Sequence, residues 1–211
     1  SVMCTSLMAG ANMDCASHIA RAPSAVVSAA TRREADMTQW PRQSQCDAFY
    51  GNPRGRGGAV SSPAWSKANL VWIKPPFKMA MDAPITQFPI HRKCREATLE
   101  WLNAVWKNAG QKQATIHVYG MDVFSGSYVF RAMRGLQSLS MHSYGCAMDF
   151  DAPRNAMSDR TPHFGMAEIH DAVVKPFSKL GGVWGGDWNG NGSSADERRC
   201  DGMHFQFARM G

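Results

Sequence analysis

The sequence has no pair of cysteines spaced Cys-x-x-Cys, and that absence removes two function classes together. Its six cysteines (Cys4, Cys15, Cys46, Cys94, Cys146 and Cys200) are too scattered for a cysteine zinc knuckle or a thioredoxin-type redox pair. A chain of 211 residues buries enough core to dispense with disulfide staples, so free thiols are expected. Cys200, beside Asp201, reads as a small packing residue. No run approaches the roughly 20 apolar residues of a membrane span, and none is expected. Charge is modest at 19% of residues, and no internal repeat is visible. The apolar patch Ala25 to Ala30 is too short and too far in for a signal-peptide core, and Arg32 and Arg33 follow it rather than precede it.

What remains is an ordinary globular composition, 44% hydrophobic, with seven Trp and ten Phe as core anchors. Residues 1–36 are rich in Ala, Ser and Met and read as a poorly ordered extension, with the functional domain over 37–211 and its start near Trp40. In the extension three arginines cancel three acids, so the net charge of +6 sits in the domain. Such a surface suits an anionic polymer, either cell wall or nucleic acid, although a modest excess is more often a solubility feature. An RNA-binding role for the Arg-Gly run at 51–58 is set aside, because one unrepeated run reads as an exposed loop, and no nucleic-acid partner is expected. A monomer is expected.

Short strands are expected at Val71–Ile73 and Phe88–Ile90. From His91 the spacing turns helical: Cys94, Thr98, Trp101, Leu102 and Val105 form one stripe, and Gly110 stands where a left-handed cap would end the helix. Further strands are expected at 114–119, 128–133, 146–150 and 204–207. A second helix is expected over about 162–180, capped by Thr161 and kinked or split at Pro176.

Two stretches carry the chemistry. Ser140 to Asp151 offers His142 and Asp149; Asp201 to Phe207 offers His204. Two imidazoles and a carboxylate make a zinc site with an open position. Strand parity supports the set: Asp149 lies opposite in face to Met148 and Phe150, and His204 and Gln206 share a face opposite Phe205 and Phe207. His142, seven residues before Asp149, joins them only if a turn at Gly145 brings it round. Asp201, three before His204, suits a general base that takes a proton from the attacking water and passes it to a leaving amine. Arg131 is a candidate to hold a substrate carboxylate or the developing oxyanion, and Ser140 to donate a hydrogen bond to substrate or ligand. His18, His91, His117, His163 and His170 have no partner pattern and read as structural. Asp187, Asp196 and Glu197 lie in a Gly-rich segment and are expected to face water.

Ser140-x-His142-x-x-Gly145-x-Ala147-x-Asp149, then Trp184-Gly185-Gly186-Asp187-Trp188, then Asp201-Gly202-Met203-His204-Phe205-Gln206, resembles the zinc peptidases that cut peptidoglycan stem peptides. These are the D-alanyl-D-alanine carboxypeptidases and the L-alanyl-D-glutamate endopeptidases, VanY-like or of phage-endolysin type. The resemblance is strongest over 127–207. It implies an α+β fold of the hedgehog/DD-peptidase kind, with a small, mainly antiparallel sheet carrying the metal and helices packed on it. It implies one Zn2+ on His142, Asp149 and His204, Asp201 as general base, and Arg131 and Ser140 orienting substrate. The partners it implies are peptidoglycan stem peptides, and the place of action the cell wall. Many D-alanyl-D-alanine-specific members have Glu where Asp201 stands, whereas the phage-type endopeptidases commonly have Asp, which tilts the resemblance towards the latter. A competing expectation is a non-catalytic, zinc-stabilised cell-wall-binding module.

Overall fold

A computed structural model describes residues 40–133 and 135–211; the extension at 1–36 lies outside them. The described chain is α+β, with short helices and small antiparallel sheets. It begins with helix α1 (Cys46–Tyr50), then α2 (Pro63–Asn69), whose start is dictated by Ser62 and Pro63. The Ser62 hydroxyl accepts the Trp65 N–H at 3.3 Å, and Pro63 fits the first turn, where its missing N–H is not needed. Strand β1 (Leu70–Ile73) pairs with β4 (Phe88–His91), and between them lies the small hairpin of β2 (Met79–Ala80) and β3 (Pro84–Ile85).

Helix α3 (Arg95–Asn108) buries the expected stripe, Thr98, Trp101, Leu102 and Val105. Residues 114–119 are not a strand. They form helix α4 (Gln113–Tyr119), which buries Ile116 and Tyr119 at a spacing of three and ends on left-handed Gly120. The β-branched composition favoured a strand, but packing of this one face decided the outcome. Nor do residues 128–133 form a strand, since among the described residues their only ladder contact is a single bridge between Ala132 and Leu139.

The main sheet has four antiparallel strands in the order β5 (Phe124–Gly126), β6 (Ala147–Phe150), β8 (His204–Gln206), β7 (Val183–Trp184). Register sets Met148 opposite Phe205 and Asp149 opposite His204. On the back of this sheet, Trp101 is fully buried, with ring centroids 5.6 Å from Phe150, 4.9 Å from Phe205 and 4.6 Å from Phe177. These rings are the centre of the core. The Trp40 ring packs tilted against Phe207 with centroids 4.6 Å apart, and the Tyr50 hydroxyl donates to the Phe207 carbonyl at 2.6 Å, so the first described residues close onto the end of the last strand.

The second helix, α5, is a run over 167–179 rather than 162–180. Thr161 does not cap it; its N–H is taken by Asp159 in a preceding turn, and a separate 3-10 turn spans His163–Gly165. The run is α-helical over Ala167–Ile169, π-helical over His170–Val174 and α-helical again over Lys175–Lys179. Pro176 supplies the reason: it cannot donate to the carbonyl four residues back, and a π turn absorbs the mismatch. The carbonyl that Pro176 leaves free, that of Ala172, accepts from Asn108 Nδ2 at 2.9 Å, and the next, that of Val173, accepts from Trp101 Nε1 at 2.8 Å. Buried carbonyls are thereby satisfied from α3, which fastens α5 behind the sheet.

Candidate metal centre

His142 reaches the sheet through a 3-10 turn, Met141–Tyr144, that Ser140 starts and Gly145 stops. The Ser140 hydroxyl accepts the His142 N–H at 3.4 Å. Gly145 takes φ +65°, and a Cβ there would lie 2.7 Å from Leu70 Cδ2 and 3.0 Å from the His91 nitrogen. Both conformation and space therefore demand glycine, and the turn brings His142 to the face that carries Asp149 and His204.

Three atoms converge on that face. His142 Nε2 lies 3.2 Å from Asp149 Oδ1 and 3.1 Å from His204 Nδ1, and His204 Nδ1 lies 3.0 Å from Asp149 Oδ1. The opposite ring nitrogens are committed elsewhere. His142 Nδ1 is 2.5 Å from the Ser127 carbonyl, which can only accept. His204 Nε2 is 3.0 Å from Gln206 Oε1, and the orientation of that amide is set because Gln206 Nε2 donates to the Ala208 carbonyl at 2.7 Å. Each imidazole must therefore carry its proton on the far side and turn a lone pair inward. Two lone pairs and a carboxylate facing one another at about 3 Å repel unless a cation sits among them. Ligands about 2.0–2.1 Å from a tetrahedral zinc stand roughly 3.3 Å apart, close to these separations, so the donor set fits such an ion with a fourth position open.

Electrostatics agree with the geometry. Where a proton rather than a metal ion lies among these atoms, burial opposes the charge on Asp149, but hydrogen bonds from His142 and His204 outweigh it and hold the carboxyl far below its usual range. Burial likewise disfavours charge on His204, yet the bond to Asp149 raises its pKa, so the site draws a positive charge to itself.

Asp201 is held at the rim of this face by its backbone. Its N–H donates to the Gly185 carbonyl at 2.8 Å, and its carbonyl accepts from the His204 N–H at 3.0 Å. Gly185 allows this approach, since a Cβ there would stand 2.5 Å from the Asp201 carbonyl oxygen. Asp201 Oδ1 is buried with no hydrogen-bond partner. Burial raises its carboxyl above the usual range; His204 opposes the rise, Asp149 adds to it, and Arg131 lowers it. Arg131 is exposed, and among the described residues its guanidinium makes no ion pair and only a 3.5 Å contact to the Ala132 carbonyl. Its backbone is fixed from both sides by Ser143, whose Oγ accepts the Arg131 N–H at 2.9 Å and donates to the Arg131 carbonyl at 2.8 Å. Ser140 is buried, and its hydroxyl serves the turn that presents His142.

Residues Ser127, Ser143 and Gln206 do work that the sequence did not disclose. They orient the two imidazoles and fix the backbone at Arg131, and their metal-facing signal is only that Gln206 shares a face with His204. Trp188 also borders the site, its ring centroid 5.7 Å from that of His204. Glu197, expected to face water, is buried at 7% exposure. His117, one of the histidines read as structural, pairs with Asp122 at 2.8 Å, away from the centre. Cys46, Cys94, Cys146 and Cys200 are buried free thiols.

Residues 134–207 match the family model described as D-alanyl-D-alanine carboxypeptidase. That segment, about a third of the chain, is similar to this peptidase family. No curated protein and no solved structure gave a significant match. The matched segment of the D-alanyl-D-alanine carboxypeptidase family contains His142, Asp149, Asp201 and His204, while Arg131 lies just before it. Family and donor set together support a metallopeptidase that acts on peptidoglycan. Among the described residues no helix is long and apolar enough to cross a membrane.

Proposed function

We propose that the chain is a zinc-dependent peptidase that hydrolyses one peptide bond in peptidoglycan stem peptides, and that it acts on the cell wall. The observation that carries this reading is the convergence of three inward lone pairs beside a buried carboxyl with an unpartnered oxygen. His142 Nε2, Asp149 Oδ1 and His204 Nδ1 would hold the zinc. Bound there, it would supply Lewis acidity towards the scissile carbonyl and towards water.

The chain's own residues do the rest. Asp201 takes the proton of the attacking water on its carboxylate and returns it to the leaving amine. Its raised pKa makes it the better proton donor in the second half of that exchange. Arg131, with no ion pair among the described residues, offers its guanidinium to a substrate carboxylate or to the oxyanion that develops during attack. Ser140 presents His142. Ser127 and Gln206 keep both imidazoles in the ligating tautomer. An Asp at 201, rather than Glu, supports the L-alanyl-D-glutamate endopeptidase reading over the D-alanyl-D-alanine carboxypeptidase one.

Muropeptide digestion followed by mass spectrometry of the products tests the reading and identifies the bond. Wild-type protein should cleave, and Asp201→Ala should lose on the order of 100-fold or more. His142→Ala and a chelator should each reduce cleavage to background. Undiminished cleavage in all three would remove the mechanism. Wall binding with zinc present and no cleavage by wild type would return the chain to a binding module.

A further inference from the structure

The turn that carries His142 also holds the root of Arg131, and one hydroxyl makes the joint. Residues 129–131 run beside that turn much as a strand would. The Val129 N–H donates to the His142 carbonyl at 3.4 Å, and the Arg131 carbonyl accepts the Ser140 N–H at 3.0 Å. The Arg131 N–H is the next donor, and a backbone donor in a packed segment needs a partner. The chain opposite has wound into the 3-10 turn Met141–Tyr144, and its carbonyls already serve that turn: Ser140 accepts the Ser143 N–H at 2.9 Å and His142 the Gly145 N–H at 3.0 Å. Ser143, fully buried, closes the gap with its side chain. Its Oγ accepts the Arg131 N–H at 2.9 Å and donates back to the Arg131 carbonyl at 2.8 Å, with the Val129 carbonyl farther off at 3.3 Å.

This joint lies at a boundary. Past Arg131 the chain runs out to solvent: residues 135–138 are exposed, and the excursion closes through the Met133 N–H on the Ser138 carbonyl at 2.8 Å and the bridge from Ala132 to Leu139. On the other side His142 is buried, with Nε2 3.2 Å from Asp149 Oδ1. The Arg131 side chain is exposed and has no ion pair among the described residues, so its backbone decides where it can reach. Burial raises the Asp201 carboxyl, and the Arg131 guanidinium is near enough to oppose that rise, which puts its charge on the metal face. A binding group displaced by about 1 Å can lose on the order of 100-fold in rate, so the root of this side chain matters.

We propose that Ser143 is a positioning residue that fixes the Arg131 guanidinium relative to the His142 ligand atom, and so sets where that positive charge meets the substrate. The proposal rests on the peptidase reading above. Ser143 spends its hydroxyl on Arg131 and acts through it. The position calls for a group that accepts an N–H and donates to a carbonyl at once; alanine does neither, and a thiol does both weakly. A residue that only filled space would contribute through its volume, whatever stood at 131.

Cleavage kinetics of a stem peptide by the zinc-loaded full chain test this through a double-mutant cycle. Ser143→Ala should lower kcat/KM about tenfold, in whichever of kcat and KM Arg131→Ala changes, with zinc affinity within about twofold of wild type. In an Arg131→Ala background the same substitution should cost about twofold or less. Ser143→Cys, close to serine in size, should show a smaller loss with the same dependence on Arg131, and it keeps the question decidable if Ser143→Ala does not fold. An equal loss with and without the arginine, no loss at all, or a loss accounted for by weaker zinc binding would overturn the proposal. Where wild type cleaves nothing, the peptidase reading fails by itself, and calorimetric binding of the same peptide runs the same cycle. Ser143→Ala should then weaken binding about tenfold with Arg131 present and not without it. An equal loss in both backgrounds, or no binding by wild type, would overturn the proposal there.

Discussion

The two faces of the β5-β6-β8-β7 sheet are made by the same residues counted alternately, yet they obey different rules. Behind the sheet, Phe150 and Phe205 bury apolar rings against Trp101 and Phe177, and their worth lies in area and fit. In front, Asp149, His204 and Gln206 hold polar groups whose position is set atom by atom: the Ala208 carbonyl orients the Gln206 amide, the amide fixes the His204 tautomer, and that tautomer turns a lone pair towards Asp149. The back supplies free energy and the front spends some of it, holding lone pairs together that a cation must reconcile. A substitution behind should therefore cost stability first, and one in front should cost metal first.

Phe205→Ala is the strongest challenge to that division. It should lower unfolding free energy by about 3–5 kcal/mol, read from urea melts of the metal-free protein. A loss below about 1 kcal/mol would mean the back face is not the structural half. Acid gives the next largest effect, through His91, which supports the front from beneath by donating its N–H to the Gly145 carbonyl at 2.7 Å. Burial lowers the pKa of its imidazole to about 4. Its Nδ1 accepts the Lys93 N–H, and its Nε2 donates to the Tyr50 carbonyl. The unfolded chain, with an ordinary imidazole near 6.5, takes the proton first as pH falls. The stability contributed by neutral His91 is thus complete above about pH 6.5 and drains away towards pH 4, on the order of 2–3 kcal/mol. The pH dependence of unfolding over that range should be shallower in His91→Gln than in wild type; equal slopes would contradict the assignment. Gln206→Ala is the finest test. Zinc affinity should fall about 10- to 100-fold, because His204 loses the acceptor that fixes its tautomer. Competition with a chromogenic chelator measures it, and wild-type affinity would show that the amide orients nothing.

The front was more legible in the sequence than its surroundings. Period-two alternation in Ala147–Phe150 and His204–Gln206 needs no knowledge of tertiary contacts, and it set Asp149 and His204 on one side, where register now puts them opposite each other. Gly145 was readable because an odd spacing from His142 to Asp149 required a turn. The helix at 95–108 was readable from its stripe. Residues 114–119 depart from the expected strand because β-branched Thr115, Ile116 and Val118 favour strands locally, while the left-handed Gly120 that ends the helix is the signal against it. The start of α5 was displaced because Pro162 looks like a first-turn residue, whereas Asn155 holds the Phe164 N–H and keeps that turn separate. Ser143 and the buried Glu197 were invisible for a common reason: each accepts a backbone N–H, of Arg131 and of Asn189, that only the fold brings near.

Asp149 and His204 are 55 residues apart in the chain, and only their neighbouring strands bring them together. The donor set therefore has no local precursor; it exists in the folded population and nowhere else. Apparent metal affinity then carries the folding equilibrium within it, multiplied by the folded fraction. Zinc excess should rescue a weakened back face by mass action, and a damaged core should first be noticed as a thirst for metal rather than as a loss of shape.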